Sequence, residues 1–318
     1  MPALITHHLF GEESMERLPA DLIATEDDRI AFLIANQGPD PFFFRVRTPH
    51  LRDCIRFGQE MHRSLISRQF AALRDGTQRL LPHDASTGRA FALGLLSHYV
   101  LDRNAHPYVY AQQWGIQKTD PTLADSGSKV HAVIEGDLDV LMLQRKRGGA
   151  TTANYPPEGE LVSNERVGKI AGVLMSHVAA STYGIPVGAG EYAGAVADMK
   201  LAYRLLEPAG SRIGSGGAAR FIAFEGLFSD YSLLGALAHR VTTETPARAG
   251  NLSHITWENP FTGEPSTESF PEVFDRALDD YEQAAARFLA GDDMVEMTRR
   301  LNYSGRPLDE SEICTEED

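Results

Sequence analysis

Residues 91–107 read Phe91-Ala-Leu-Gly-Leu-Leu-Ser-His98-Tyr-Val-Leu-Asp102-Arg-Asn-Ala-His106-Pro107. His98, Asp102 and His106 recur at intervals of four, so in a helix they lie on one face. The other positions are nearly all apolar, which predicts a helix buried in the core. A carboxylate and two imidazoles inside a core are unfavourable unless something pairs them, and a multivalent cation is the simplest partner.

A second pair with the same spacing follows in His131-Ala-Val-Ile-Glu135. An imidazole and a carboxylate on adjacent helical turns can hold one ion together. Asp139 continues this face by one turn, and we expect it to orient His131 or His106 from behind. Two such pairs, one of them on a buried helix, favour a metal site.

Further candidates precede these helices. Asp40 lies in the turn Gln37-Gly-Pro-Asp-Pro, His62 interrupts an apolar helical stripe, and His7 and His8 stand in the first turn of a helix. Taken singly, Asp40 is more often a turn or cap residue, and His62 is more often a core histidine. The two spaced pairs are therefore the main evidence for a metal site, and Asp40, His62, His7 and His8 are additional candidate ligands.

The remaining histidines lack such support. His83-Asp84 has the form of the dyad in all-α His-Asp phosphohydrolases, but that hypothesis leaves the two spaced pairs unexplained. His177, His239 and His254 have no accompanying carboxylate pattern. A di-iron bundle is disfavoured because the chain contains no Glu-x-x-His pair.

Composition is that of a globular protein. The chain has 318 residues, 42% hydrophobic and 23% charged, with a net charge of −14. An acidic chain is a poor partner for nucleic acid, although a small phosphate ester stays compatible with it. The sequence shows no signal peptide and no transmembrane stretch, and its only cysteines are Cys54 and Cys314. These features predict a cytoplasmic protein without a disulfide framework.

Helical periodicity dominates, and strand-like alternation is almost absent, so the sequence predicts an all-α fold. We expect one domain over 1–318, with metal-ligand helices in 1–147, helices completing the bundle in 164–305 and an acidic, frayed tail in 306–318. The expected helices are 6–16, 27–37, 50–75, 86–113 (bent or ended near Pro107), 129–147, 167–181, 192–206, 218–239 and 270–289.

The ordered motifs resemble the zinc-dependent phospholipase C family, which shares a multi-helix fold with fungal single-strand nucleases. The similarity spans roughly residues 5–140, and Trp257-Glu-Asn-Pro-Phe-Thr-Gly also resembles distant bacterial members. The motifs are Thr6-His7 with the following Leu-Phe-Gly, Gln37-Gly-Pro-Asp40, Gly58-Gln-Glu-Met-His62, Ser97-His98-Tyr-Val-Leu-Asp102 with His106-Pro, and His131-x-x-x-Glu135.

The resemblance implies two or three zinc ions. Asp40, His62, His98 and Asp102 would hold one, and His106, His131 and Glu135 another. Asp102 would bridge to an ion also held by His7. Secreted relatives use their processed N-terminal residue as a ligand, whereas this chain begins Met1-Pro2, so the replacement for that ligand and the choice between His7 and His8 stay open.

The implied activity is phospholipase C-like hydrolysis of a phosphodiester by a metal-activated water, with Asp40 orienting or deprotonating that water. Three dications outweigh the carboxylates of Asp40, Asp102 and Glu135, so the site would attract a phosphate ester or phospholipid head group. The alternatives are a metal-stabilised binding protein without catalysis, or a nuclease or phosphomonoesterase on the same fold. Wall candidates that could equally be core are Phe42-Phe43-Phe44, Tyr99, Tyr108, Tyr110 and Trp257.

Overall fold

Helices make up most of the computed structural model, which describes residues 3–207, 238–309 and 312. One short antiparallel pair, β1 (Trp257–Glu258) and β2 (Pro265–Ser266), is the only sheet among these residues. The all-α class expected from periodicity is therefore confirmed. The helices are α1 (Leu4–Glu16), α2 (Glu26–Ala35), α3 (Leu51–Arg63), α4 (Ile66–Gln78), α5 (Ala85–Thr119), α6 (Gly127–Lys146), α7 (Glu165–Tyr183), α8 (Glu191–Leu206), α9 (Phe270–Ala290) and α10 (Met294–Met297).

The chain divides into two compact units, each assembled from separate stretches of sequence. The first unit comprises Met1–Leu9, His106–Glu160 and Lys200–Val273. The second comprises Phe10–Ala105, Leu161–Met199 and Phe274–Asp318. Helix α5 supplies residues to both, and organisation as one domain stays a prediction.

Helix α5 is as deeply buried as its composition predicts. Phe91, Leu95 and Val100 are completely buried in the second unit. Gly94 allows close packing, since a Cβ there would stand 2.2 Å from the carbonyl oxygen of Phe32 in α2. Every α5 residue from 90 to 109 is buried, and this stretch contains His98, Asp102 and His106.

Two expected helix boundaries are wrong. The single helix expected over 50–75 is broken between α3 and α4, where Leu65 has a φ of 56° and donates its N–H to the carbonyl of Glu312. Hydrophobic periodicity continues across such a break, so the pattern alone does not reveal it. At Pro107 a bend or an end of the helix was expected, and the structure excludes the end, because α5 runs on to Thr119.

Some expectations fall on residues that the structure does not describe. Most of the helix expected over 218–239 lies in 208–237, outside the described residues, and His239 itself is not helical. Of the acidic tail, 310–311 and 313–318 lie outside them too, while Arg306 pairs with Glu312 at 2.9 Å. No helix within the described ranges is both long and apolar enough to cross a membrane.

Candidate metal centre

A cluster of two imidazoles and two carboxylates lies in the second unit. Helix α5 contributes His98 and Asp102, the last turn of α3 contributes His62, and the 3₁₀ segment Asp40–Phe44 contributes Asp40. The ligand atoms of His62, His98 and Asp102 all lie within 4.8 Å of one another. His62 Nε2 is 3.1 Å from Asp40 Oδ1, and His98 Nε2 is 3.3 Å from Asp102 Oδ2.

A glycine brings the Asp40 segment close to α5. Gly38 has a φ of 56°, in the left-handed region that favours glycine. A Cβ at Gly38 would lie 2.2 Å from Cδ2 of His98, which no side chain could tolerate without movement. The turn Gln37-Gly-Pro-Asp40 therefore passes directly over the His98 ring because residue 38 lacks a side chain.

The remote nitrogens of these imidazoles are fixed by backbone carbonyls. His98 Nδ1 donates to the carbonyl of Asn36 at 2.9 Å, and His62 Nδ1 donates to that of Gly58 at 2.6 Å. A carbonyl can only accept, so Nδ1 carries the proton in both rings. In the neutral imidazole this leaves the Nε2 lone pair facing the carboxylates, as in a metal-ligating histidine with a second-shell partner.

A second cluster lies in the first unit. His106 comes from α5, while His131 and Glu135 come from α6. Their ligand atoms also lie within 4.8 Å of one another, with Glu135 Oε1 3.5 Å from His106 Nε2 and 3.2 Å from His131 Nε2. His131 Nδ1 is 2.9 Å from the side-chain oxygen of Gln113, so its Nε2 is directed inward as well.

The spacing between imidazole and carboxylate at His98, His106 and His131 matches that of zinc ligands. Zinc–ligand bonds of about 2.0–2.1 Å in a tetrahedron place neighbouring donor atoms about 3.3–3.4 Å apart. The imidazole–carboxylate distances involving His98, His106 and His131 run from 3.2 to 3.5 Å. A neutral imidazole lone pair this close to a carboxylate oxygen is repulsive without a cation between them, and imidazole with carboxylate is a donor set that zinc accepts.

The carboxylates are held in their charged, ligand-ready form. Burial alone would raise the pKa of Asp40, but the hydrogen bond from His62 and the charge of His98 lower it overall. Burial opposes ionisation of Glu135 too, yet His131 and His106 lower its pKa. Burial would lower the pKa of His98, whereas Asp102 and Asp40 raise it, so protons compete with a metal for this ring.

The histidine pair on α1 resolves into two environments within the first unit. His8 Nε2 forms an ion pair with Glu160 Oε2 at 2.5 Å. His7 is buried on the same helix, with 3% of its surface exposed. Because the Nε2 atom of His8 already contacts the Glu160 carboxylate, we regard His7 as the better ligand candidate of the two.

Asp139 has a different role from the one expected. Its carboxylate accepts the backbone N–H groups of Ile5 and Thr6 at 3.0 and 2.7 Å and contacts His239 Nε2 at 2.8 Å. The side chain that orients His131 is instead Gln113. Gln113 lies on α5 and His131 on α6, so spacing within one helix does not reveal their contact.

Tyr303 lies beside the second-unit cluster, and no sequence pattern predicts this position. Its ring centroid lies 4.9 Å from that of His62 and 5.7 Å from that of His98, and its hydroxyl accepts from Gln69 at 2.5 Å. It thus supports both imidazoles of the second-unit cluster. Tyr303 follows the ligand motifs by about 170 residues of sequence, and no motif surrounds it.

The other predicted candidates separate into fully buried and half-buried side chains. Phe42, Tyr99 and Tyr108 are completely buried core residues, whereas Tyr110 lies beside the imidazoles of His106 and His131, at ring-centroid distances of 5.9 and 5.1 Å. Phe43 is half-buried with its ring 5.5 Å from that of His62, Phe44 is half-buried, and Trp257 packs edge-on against Tyr108.

The His83-Asp84 dyad does not form a metal site. The side chain of His83 is 70% exposed, and Asp84 is held by Arg166 at 3.0 Å. Neither residue belongs to any group of potential metal ligands among the described residues. The His-Asp phosphohydrolase hypothesis therefore receives no support.

Comparison with known proteins shows the family of the chain. Residues 6–183, more than half of the 318-residue chain, match the family model described as zinc dependent phospholipase C. Searches of the curated proteins and of the solved structures each found no match. The matched segment contains His7 and every residue of both clusters. Because the match covers more than half of its length, the chain belongs to the zinc-dependent phospholipase C family.

Proposed function

We propose that this protein is a zinc-dependent phosphodiester hydrolase of the phospholipase C type. The observation that carries the proposal is a pair of imidazole–carboxylate clusters. The donor atoms lie within 4.8 Å of one another in each of two sets: His62, His98 and Asp102, and His106, His131 and Glu135. Membership of the zinc-dependent phospholipase C family supports it independently.

The proposed ligands follow from the two clusters and the family. Asp40, His62, His98 and Asp102 hold one zinc ion, and His106, His131 and Glu135 hold another. His7 is proposed as a ligand of a further ion. The carbonyls of Asn36 and Gly58 and the side-chain oxygen of Gln113 contact the Nδ1 atoms and hold each ring with its Nε2 facing inward.

Bound zinc would supply a water ligand with a pKa near ~7 and positive charge for the phosphate oxygens. The protein's own contribution is to hold the carboxylates of Asp40 and Glu135 ionised and to turn the Nε2 atoms of the imidazoles toward carboxylates. Asp40, whose pKa is lowered, is proposed to orient the attacking water and accept its proton.

A covalent mechanism through the buried cysteine is disfavoured. Burial and the nearby charge of Glu191 raise the pKa of Cys54 to about 12, so its thiolate form is scarce at neutral pH. The attack is therefore assigned to water.

A phospholipid head group is the substrate class that we propose. Beside His106 and His131 stands a connected group of aromatic rings, in which Tyr110 contacts Trp114 at 5.7 Å and Phe261 at 5.7 Å. Trp114 is 45% exposed, so this group offers an apolar contact at the surface. The net charge of −14 makes nucleic acid the poorer substrate.

The test combines elemental analysis with a panel of phosphate esters. We expect bound zinc, hydrolysis of p-nitrophenyl phosphorylcholine and short-chain phosphatidylcholine, and little hydrolysis of p-nitrophenyl phosphate or single-stranded DNA. His98→Ala and Glu135→Ala, one from each cluster, should abolish turnover with helical content retained. His83→Ala, at an exposed histidine, is the matched control and should behave as wild type.

The alternatives predict different results in the same panel. Zinc bound without any turnover would favour a metal-stabilised binding protein, and preferential cleavage of single-stranded DNA would favour a nuclease. Full activity in both cluster variants would end the hydrolase proposal.

A further inference from the structure

A buried network of ionisable side chains lies in the first unit, outside the set of proposed zinc ligands. His239 Nε2 is 2.8 Å from Asp139 Oδ2, and His239 Nδ1 is 2.7 Å from Glu207 Oε1. All three residues are at most 4% exposed, and the ring of Tyr203 stacks on that of His239 at 6.1 Å. Because both ring nitrogens face carboxylates, both must donate, and the ring is an imidazolium.

The charge of His239 is stable at neutral pH. Burial alone would lower the pKa of His239, but the hydrogen bonds to Asp139 and Glu207 raise it to about 10. One buried cation thus lies between two carboxylates. Without that cation, two negative groups would remain in the core with no partner of opposite charge between them, which is strongly unfavourable.

Asp139 connects this network to the start of α1. The first N–H groups of a helix have no intrahelical acceptor. Asp139 accepts two of them, from Ile5 and Thr6, and a carboxylate at this position also favours the positive end of the helix dipole. Ala3, which precedes the helix, has no side-chain acceptor of its own.

This cap determines the position of His7. His7 directly follows Thr6, and its own N–H makes the first intrahelical bond, to the carbonyl of Ala3 at 3.0 Å. Asp139 stands on α6, one turn beyond Glu135, so it ties the beginning of α1 to the helix that carries His131 and Glu135. The contacts of Asp139 therefore fix one candidate ligand relative to two others within the same unit.

We propose that His239, acting through Asp139, is a positioning residue that fixes the first turn of α1 and with it His7. The inference rests on the proposed function, in which His7 is a zinc ligand. His239 lies outside the segment matched by the family model, so that match assigns it no role.

The first measurement is local and needs no zinc. In zinc-free protein, His239→Gln removes the cation and should speed hydrogen exchange at the amides of Ile5 and Thr6. His83→Gln makes the same substitution at an exposed histidine and should leave these amides unchanged. If His239→Gln does not fold, Asp139→Asn serves instead, because it keeps an acceptor but removes the charge. It should also speed hydrogen exchange at the amides of Ile5 and Thr6, but by less.

The second measurement is zinc affinity, by competition with a chromophoric chelator. Loss of a residue that orients a metal ligand typically lowers affinity about 10- to 100-fold. We expect that loss for one ion in His239→Gln, and no further loss when His239→Gln is added to His7→Ala. Such non-additivity identifies an effect transmitted through His7.

Several results would overturn the inference. Unchanged amide exchange in His239→Gln, or an equal loss of zinc in wild-type and His7→Ala backgrounds, would leave His239 a purely structural residue. If His7→Ala itself retains all zinc, the inference fails while the two-cluster function stands. If wild-type protein binds no zinc at all, the inference and the proposed function fail together.

Discussion

Gly38→Ala tests whether the Asp40 turn and α5 form one ligand cluster. A Cβ at residue 38 would lie 2.2 Å from Cδ2 and 2.4 Å from Nε2 of His98. The substitution therefore acts directly on the nitrogen proposed to bind zinc. It also places alanine at a φ of 56°, which an L-residue adopts with strain.

The two costs can be separated with a second glycine. Gly184, at the end of α7 in the same unit, has a φ of 63° but no atom within 4 Å of a Cβ. Gly184→Ala should therefore cost only the left-handed strain, about 1–2 kcal/mol. Gly38→Ala should cost that strain plus about 1–3 kcal/mol for overpacking against His98.

Urea unfolding of the zinc-free proteins measures these costs, and elemental analysis measures the metal. We expect Gly38→Ala to be about 1–3 kcal/mol less stable than Gly184→Ala and to lose the second-unit zinc, with zinc in the first-unit cluster retained. Equal stability and equal zinc content in the two variants would refute the reasoning, because the close approach to His98 would then have no consequence.

Three further predictions follow from the other supporting contacts. Gln113→Ala removes the acceptor for His131 Nδ1 and should weaken zinc binding in the first-unit cluster about 10- to 100-fold in a chelator competition; wild-type affinity would contradict this. Tyr303→Ala should destabilise the protein by about 3–5 kcal/mol and release zinc from the second-unit cluster, whereas Tyr303→Phe, which leaves Gln69 without its acceptor, should cost about 1–3 kcal/mol and keep zinc. Because folding raises the pKa of His239 to about 10, its charge contributes stability that is complete below the unfolded pKa near ~6.5 and is lost as the pH rises through 10. Between pH 7 and pH 10 the free energy of unfolding of the wild-type protein should fall by on the order of a few kcal/mol more than that of His239→Gln. An equal fall in both proteins would contradict this prediction.

The sequence predicted most of the clusters because their ligands follow local rules. Each cluster contains a histidine and a carboxylate one helical turn apart, namely His98 with Asp102 and His131 with Glu135. On α5 the first pair also stands out because the surrounding sequence is apolar. The structure brings His98 and Asp102 together with Asp40 and His62 in one unit, and His131 and Glu135 together with His106 in the other, although their role as ligands stays a prediction. The cytoplasmic location inferred from composition stays a prediction as well.

The groups that support the ligands are set by tertiary packing, and this is why they were missed. Gln69 and the hydroxyl of Tyr303 meet across 234 residues, and His239 reaches Asp139 across 100. No spacing rule relates such positions. The break at Leu65 was hidden for a related reason, since its N–H is satisfied by Glu312, far away in sequence.

The contrast between His98 and His239 shows what distinguishes a ligand from a structural histidine here. Both are completely or nearly completely buried and both contact carboxylates. His98 gives Nδ1 to a carbonyl, so its neutral form keeps a lone pair on Nε2 for a metal. His239 has a carboxylate at each nitrogen, so both nitrogens carry protons and no lone pair is left for a metal. Zinc should therefore displace the Nε2 proton of charged His98 while leaving His239 charged. NMR titration of the two imidazoles with zinc at neutral pH should show a change in protonation at His98 alone.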